Sequence, residues 1–202
     1  MLLNRLEFAL MNNPGRAALQ RYFESPRLLR MAGPMGGGRA LEMGCGRGVG
    51  TNLIFDLFGA DSVDAFDLDA RMVALARERL RPRGSRARLW VASATTIPVA
   101  SSTYDAVFDF GIIHHIPEWR VALREVERVL KPGGIFYAEE MLGAFITHPI
   151  ARRLFDHPQT DRFDVTAFGA ALQEAGLRVD AMEQLWGATA WFTARKAPSS
   201  PG

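Results

Sequence analysis

The chain has a single cysteine, Cys45, which excludes an internal disulfide and a cysteine-cluster metal site and makes the cytoplasm the simplest compartment. Histidines are scarce too, and the spacings of His114, His115, His148 and His157 match no zinc-ligand motif, so no metal is expected. Long apolar runs are missing. The longest nearly apolar stretch, Met141 to Ile150, is interrupted by His148 and Pro149, whereas a membrane span needs about 20 apolar residues. The start, Met1-Leu2-Leu3-Asn4-Arg5-Leu6-Glu7, has no basic segment followed by an apolar core, and no signal peptide is expected. Charge of one sign is not in excess: the formal net charge is +2. A strong nucleic-acid binder carries more, clustered on one face, so no nucleic-acid partner is expected.

What is present fits one globular domain: 202 residues, 48% hydrophobic and 23% charged. Residues 1–31 read as helical, with a break at Asn12-Asn13-Pro14-Gly15, and Pro34 with Gly36-Gly37-Gly38 forms a hinge. After it, strands alternate with helices. Strands are expected at Arg39–Met43, Ser62–Phe66, Ala87–Ala92, Tyr104–Phe110 and Ile135–Ala138. Between them, Leu53, Ile54, Leu57 and Phe58 mark a helix stopped by Gly59. Met72, Val73, Ala76 and Leu80 mark a helix capped by Asp69, and Trp119, Ala122, Leu123, Val126, Val129 and Leu130 mark a third. Asp164 or Thr166 caps a last helix that Gly176 ends. Two strands follow, Leu177–Leu185 and Ala188–Arg195, joined at Trp186-Gly187 as an antiparallel pair. The pattern predicts a Rossmann-like, doubly wound, mainly parallel sheet with an antiparallel edge strand and a helical cap over residues 1–38.

The strongest chemical signal is Glu42-Met43-Gly44-Cys45-Gly46-Arg47-Gly48, where a strand turns into a helix through closely spaced glycines. Such a turn lets backbone approach a ligand without a Cβ in the way, at the carboxyl end of a strand, where doubly wound sheets bind ligands. A dinucleotide site would need G-x-G-x-x-G; here the third position would be Val49, and the pattern is G-x-G-x-G. Asp67 ends the second strand, 19 residues past Gly48, where a carboxylate can accept bonds from both hydroxyls of a ribose.

These residues resemble the class I S-adenosylmethionine-dependent methyltransferases. Further matches are Trp90-Val91-Ala92-Ser93-Ala94-Thr95-Thr96-Ile97-Pro98, the run Tyr104-Asp105-Ala106-Val107 to His114-His115-Ile116, and Leu130-Lys131-Pro132-Gly133-Gly134. Together they span residues 39–140, in the family's order, a cofactor-binding core followed by a substrate-side segment with the final strands at 141–202. The resemblance implies a single seven-stranded domain that moves a methyl group from S-adenosylmethionine to a small acceptor by in-line displacement, leaving S-adenosylhomocysteine. It also implies the site. Gly44, Cys45, Gly46 and Gly48 line the methionine and ribose region, and Glu42 orients the turn or meets the amino-acid end of the cofactor. Asp67 holds the ribose, Leu68 covers the adenine, Ser93 and Ala94 form its edge, and Phe110 and Gly111 lie near the sulfur. Ser93 stands where the family usually has Asp.

No catalytic residue is assigned. His114, His115 and Glu139 are the titratable candidates, although in the resembling family such a histidine pair serves packing and loop shape. Glu139 and Glu140 read as a pair past the fifth strand of which at most one faces the pocket. The run Arg77, Arg79, Arg81, Arg83, Arg86, Arg88 reads as a solvated face opposite the cofactor. The apolar residues Met141–Ile146 with Leu154-Phe155 suit an apolar or aromatic acceptor. Two other readings remain at this point: a noncatalytic S-adenosylmethionine-binding module and an NAD-binding oxidoreductase.

Overall fold

The helical start is set by a cap. The Asn13 side chain accepts the Arg16 amide at 2.9 Å, and Pro14 takes the first helical position, where its missing N–H costs nothing. The expected break at residues 12–15 is therefore where a helix begins, within the residues that the computed structural model describes, 13–143 and 162–198. Helix α1 (Pro14–Leu19) widens into a π-helical turn at Gln20–Glu24 and continues as α2 (Ser25–Ala32).

Strand β1 (Arg39–Met43) leads through the glycine turn to α3 (Val49–Leu53), which ends in a second π-helical turn at Ile54–Phe58. Gly59, at φ 76°, closes it in the left-handed region that suits glycine. Then come β2 (Ser62–Asp67), α4 (Ala70–Leu80), β3 (Ala87–Val91) and β4 (Tyr104–Phe110). After them lie α5 (Trp119–Val129), β5 (Leu130–Met141), α6 (Val165–Glu174), β6 (Leu177–Leu185) and β7 (Thr189–Lys196). Asp69 caps α4 and Asp164 caps α6, each through a side-chain oxygen. The buried stripe of α5 consists of Trp119, Ala122, Leu123, Val126 and Val129, at the spacing the sequence shows.

The strands form one seven-stranded sheet, β3-β2-β1-β4-β5-β7-β6. All pairs are parallel except β5–β7 and β6–β7, so the antiparallel hairpin occupies one edge. Strand order reverses between β1 and β4, and the crevice outside their carboxyl ends is where such sheets take ligands. One face packs under α2 and α3 around Phe58, Phe108, Tyr137 and Trp191. The other packs under α5 and α6 around Trp119, Leu123, Phe136, Phe168 and Phe192. Among the described residues no helix is long and apolar enough to cross a membrane.

Strand β5 departs from expectation at both ends. It starts at Leu130, and its pairing with β4 jumps from Tyr104–Leu130 to Ala106–Ile135, so Lys131-Pro132-Gly133-Gly134 loops out within it. A Cβ on Gly134 would lie 2.8 Å from the Lys131 carbonyl oxygen, which is why glycine sits there. It also runs on through Glu139 and Glu140, which are buried in strand and are not a solvated pair in a loop. Most of the apolar segment after β5, residues 144–161, lies outside the described residues, as do residues 1–12, His148 and His157.

Asp64 ties four strands together away from the crevice. It is buried on β2, accepts from Arg39 of β1 and from Arg88 of β3 (Nε, 2.9 Å), and takes the Tyr104 hydroxyl of β4 at 2.8 Å. Asp64→Ala leaves that hydroxyl buried without its acceptor and frees two guanidiniums. We expect a loss of about 2 kcal/mol in urea unfolding with an unchanged m-value. A loss within experimental error would show that this cluster contributes nothing net.

Candidate functional site

A cavity of about 320 Å3 opens at the carboxyl ends of β1, β2 and β4. Its walls include Glu42, Gly44, Cys45, Gly46, Asp67, Leu68, Ser93, Ala94, Phe110 and Gly111, so the structure brings together ten of the eleven residues expected to hold a cofactor. Gly48 is the exception. A Cβ there would sit 3.0 Å from Leu80 Cδ1 and 3.3 Å from Ala76 Cα, so this glycine lets α4 pack against the turn and does not line the pocket.

The glycine turn is built by close approach. At Gly44 (φ 66°) a Cβ would fall 2.4 Å from Ile112 Cγ2, and at Gly50 it would fall 2.1 Å from Glu42 Oε1 and 2.7 Å from the Phe110 ring. Gly50 thereby leaves the space into which the Glu42 carboxyl is folded, hydrogen-bonded to the Thr51 hydroxyl. Gly46 has open space around it. The Cys45 thiol is buried and burial pushes its pKa up, so it stays a neutral packing group.

Asp67 completes the turn. Its Oδ2 accepts the Gly46 amide and its Oδ1 the Asp69 amide, both at 2.9 Å. The Leu68 amide also bonds this carboxylate, which lines the cavity. Asp69 caps α4 and pairs with Arg71, so its oxygens are committed to its own helix. The Ser93 hydroxyl is engaged locally, 2.8 Å from Thr95 Oγ1 and accepting the Thr95 amide at 3.2 Å, which shapes the turn at the cavity edge.

The candidate histidines separate. His115 lines the cavity, and His114 does not. His114 is buried, with Nδ1 2.6 Å from Glu140 Oε2, and burial with the Arg162 charge pushes its pKa down to about 3. It is a neutral ring tilted by 37° against His115 at 4.2 Å between centroids, and it cannot act as a solvent-facing base. Glu140 also accepts the amides of Ile113 (2.7 Å) and His114 (3.2 Å), so it fixes the short 3-10 turn that carries His115 into the wall. Glu139 is likewise not in the wall. It points to the opposite side of the sheet, buried, with Oε1 3.6 Å from Arg16 Nη2, and Arg16 in turn bonds Glu24.

Arg16 and Gln20 of the helical cap also line the cavity, which the sequence did not disclose. Two turns separate Arg16 from Glu24, and the π-helical turn between them is a tertiary feature with no local sequence signal. Met72, Ile112, Ile116, Pro117 and Glu118 were missed as well. The Phe110-to-Ile116 run pointed to the loop but not to which side chains face inward.

Carboxyls accumulate along the strand ends. Burial raises Glu42 to about 8, Thr51 opposes this, and the Asp67 and Asp109 charges add to it. Burial also raises Asp67, and raises Glu140 to about 7. Asp109 is held well above the usual carboxylate range by burial and by Glu140, and Glu139 by burial and by Glu24.

Comparison with known proteins follows this geometry. Residues 41–138 match the family described as a methyltransferase domain. A probable S-adenosylmethionine-dependent methyltransferase of Mycolicibacterium smegmatis is 32% identical over 125 residues, 61% of this chain and 46% of that protein. A fatty-acid O-methyltransferase of the same organism is 30% identical over 126 residues, 62% of this chain and 42% of that protein. The matched stretch thus spans less than half the length of either curated relative. A solved S-adenosylmethionine-dependent methyltransferase from Mesorhizobium loti shares the fold, with a TM-score of 0.70 at 19% identity over 86% of this chain and 97% of that one.

The raised carboxyls set a pH dependence. For Glu42 the folded pKa, about 8, lies above the model-peptide value of 4.5, so its stabilisation is full below the lower value and is lost as pH rises through the upper one. Relative to wild type, Glu42→Gln should therefore become more stable as pH rises from about 5 to 9, by about 5 °C in Tm. A difference that stays flat across this range would show that Glu42 does not titrate there.

Proposed function

We propose that this chain, whose residues 41–138 belong to the class I S-adenosylmethionine-dependent methyltransferases, moves a methyl group from that cofactor to a small, largely apolar acceptor. One observation carries the reading beyond the family. The ends of β1 and β2 place two carboxyls, buried Glu42 and half-buried Asp67, in one cavity whose floor is backbone that glycine leaves open. A carboxylate at Asp67 beside exposed backbone suits a ligand that carries a ribose. We take residues 1–202 as one domain, with residues 1–38 as its cap.

Asp67, which also accepts the Gly46 and Asp69 amides, would hold the ribose hydroxyls. Leu68, half exposed at the rim, would cover the adenine, with Ser93 and Ala94 at its edge. Gly44, Cys45 and Gly46 would face the methionine and ribose region, with Glu42 beneath the turn and Phe110 and Gly111 near the sulfur. When bound, S-adenosylmethionine supplies a methyl on a positively charged sulfur, so activation lies in the cofactor.

The chain's remaining task is to aim the acceptor along the methyl–sulfur bond and to keep water out. Ile112, Ile116 and Pro117 offer an apolar wall for that, while Arg16 and Gln20 close it from the cap. Alignment of this kind supplies ~7–11 kcal/mol in favourable systems. His115, the imidazole in the cavity wall, would take a proton if the acceptor is a hydroxyl or an amine. The name of the fatty-acid relative supports an apolar acceptor.

Calorimetric titration with S-adenosylhomocysteine, with NAD as control, tests the site. Asp67→Ala should weaken binding by about 30-fold and Asp69→Ala by less than about threefold, since only the first removes a charged acceptor from the ribose. Equal, small effects would reject the ribose assignment. Saturable binding of S-adenosylmethionine without methyl transfer to a panel of fatty acids, phenols and quinols would reject transfer to an apolar acceptor.

A further inference from the structure

A second cavity, about 530 Å3, adjoins the first and shares Val49 with it. It lies between three elements. Ala17, Ala18 and Arg21 come from the cap, Asn52, Leu53 and Asp56 from α3 and its π-helical turn, and Arg79, Pro82 and Arg83 from the end of α4. Three guanidiniums thus face one carboxylate. The run of arginines at 77–88 therefore does not form a uniform solvated face. Arg77 bonds the Leu89 carbonyl, Arg81 pairs with Glu78, Arg86 bonds the Asp61 carbonyl and Arg88 pairs with Asp64. Arg79 and Arg83 turn to this cavity.

Accounting for donors and acceptors there gives a one-sided result. Asp56 has both oxygens committed, Oδ1 to Arg83 Nη2 at 2.6 Å and Oδ2 to Arg21 Nη1 at 3.4 Å. Asn52 has its oxygen committed, accepting Arg83 Nε at 2.9 Å, which turns its amide nitrogen outward as a donor. The Arg83 plane is further held over the Phe55 ring, 4.8 Å from its centroid. Among the described residues Arg79 has neither a hydrogen bond nor an ion pair. Arg47, on the first cavity's side of Val49, has a buried Nε without a partner. The valences left unused in and beside this cavity are all donors, and most carry positive charge.

We propose that this second cavity binds the phosphate group of a small phosphorylated molecule, held by Arg79, the Asn52 amide and the free edge of Arg83. A phosphate presents three or four acceptor oxygens and no obligatory donor as a dianion, which complements guanidinium and amide donors among which Arg83 is held in place by Asn52, Asp56 and Phe55. The assignment rests on this cavity's own geometry and stands apart from the methyl-transfer reading.

The test is calorimetric titration of the full chain with inorganic phosphate and with glycerol 3-phosphate, against chloride at equal ionic strength. Saturable binding is expected, unchanged when S-adenosylhomocysteine is saturating. Arg79→Met and Asn52→Asp should each weaken it by about tenfold or more. Both variants should bind S-adenosylhomocysteine as wild type does, which shows that they fold and separates this proposal from the cofactor site. Four results would overturn it: no heat beyond chloride, phosphate displaced by S-adenosylhomocysteine, variants that bind phosphate as well as wild type, or binding only to phosphatidic-acid vesicles and not to the soluble phosphates.

Discussion

The accumulation of acidic side chains at the carboxyl edge of the sheet is the constraint to which the rest of the structure answers. Glu42, Asp67, Asp109, Glu139 and Glu140 come from four neighbouring strands, and all but Asp67 are fully buried. Ionised together they would repel one another in a medium that screens poorly. The fold relieves this in two ways. It supplies backbone amides, from Gly46 and Asp69 to Asp67, from Ile112 to Asp109, and from Ile113 and His114 to Glu140. Burial also favours the protonated form of Glu42, Asp109 and Glu139, whose pKa values it raises.

The same constraint explains why the loops around the cavity have definite shapes. The turn at 113–115 is held from below by Glu140, so the His115 ring is placed by a residue 25 positions away in sequence. The cap is held from the other side of β5. Glu139 and Glu24 meet around Arg16, and that meeting sets where Arg16 and Gln20 enter the wall. Two adjacent residues on one strand thus govern opposite halves of the pocket, because strand alternation sends their side chains to opposite faces. Neither carboxyl has to touch a ligand for its removal to be felt there.

Legibility from sequence followed the range of the interactions. The helix stripes of α4 and α5, the caps at Asp69 and Asp164, and the strands at 104–110 and 177–185 are local patterns, and each is found where the pattern places it. The glycine turn was legible because its geometry needs particular residue types. Within it, which glycine lines the cavity and which faces α4 depends on Ala76 and Leu80, which Gly48 packs against. Strand β5 was drawn too short because Lys-Pro-Gly-Gly and a pair of glutamates both look like loop, whereas pairing with β4 and β7 keeps the chain extended. The entry of Arg16 and Gln20 depends on a π-helical turn and a buried ion pair, both products of tertiary packing.

Charge is segregated on a short length scale in this molecule. On one side of Val49 lie the Glu42 and Asp67 carboxyls, with Arg16 and Arg47 beside them, and on the other the unused valences are guanidinium and amide donors. Sequence composition averages the two to a net charge of +2 and so conceals both. Helix α1 separates them with successive residues, Arg16 and Gln20 toward the acidic cavity, Ala17, Ala18 and Arg21 toward the basic one. Arg47, whose guanidinium is partly desolvated and stands near Arg79, sits on the boundary, where the fold leaves a cation without a carboxylate.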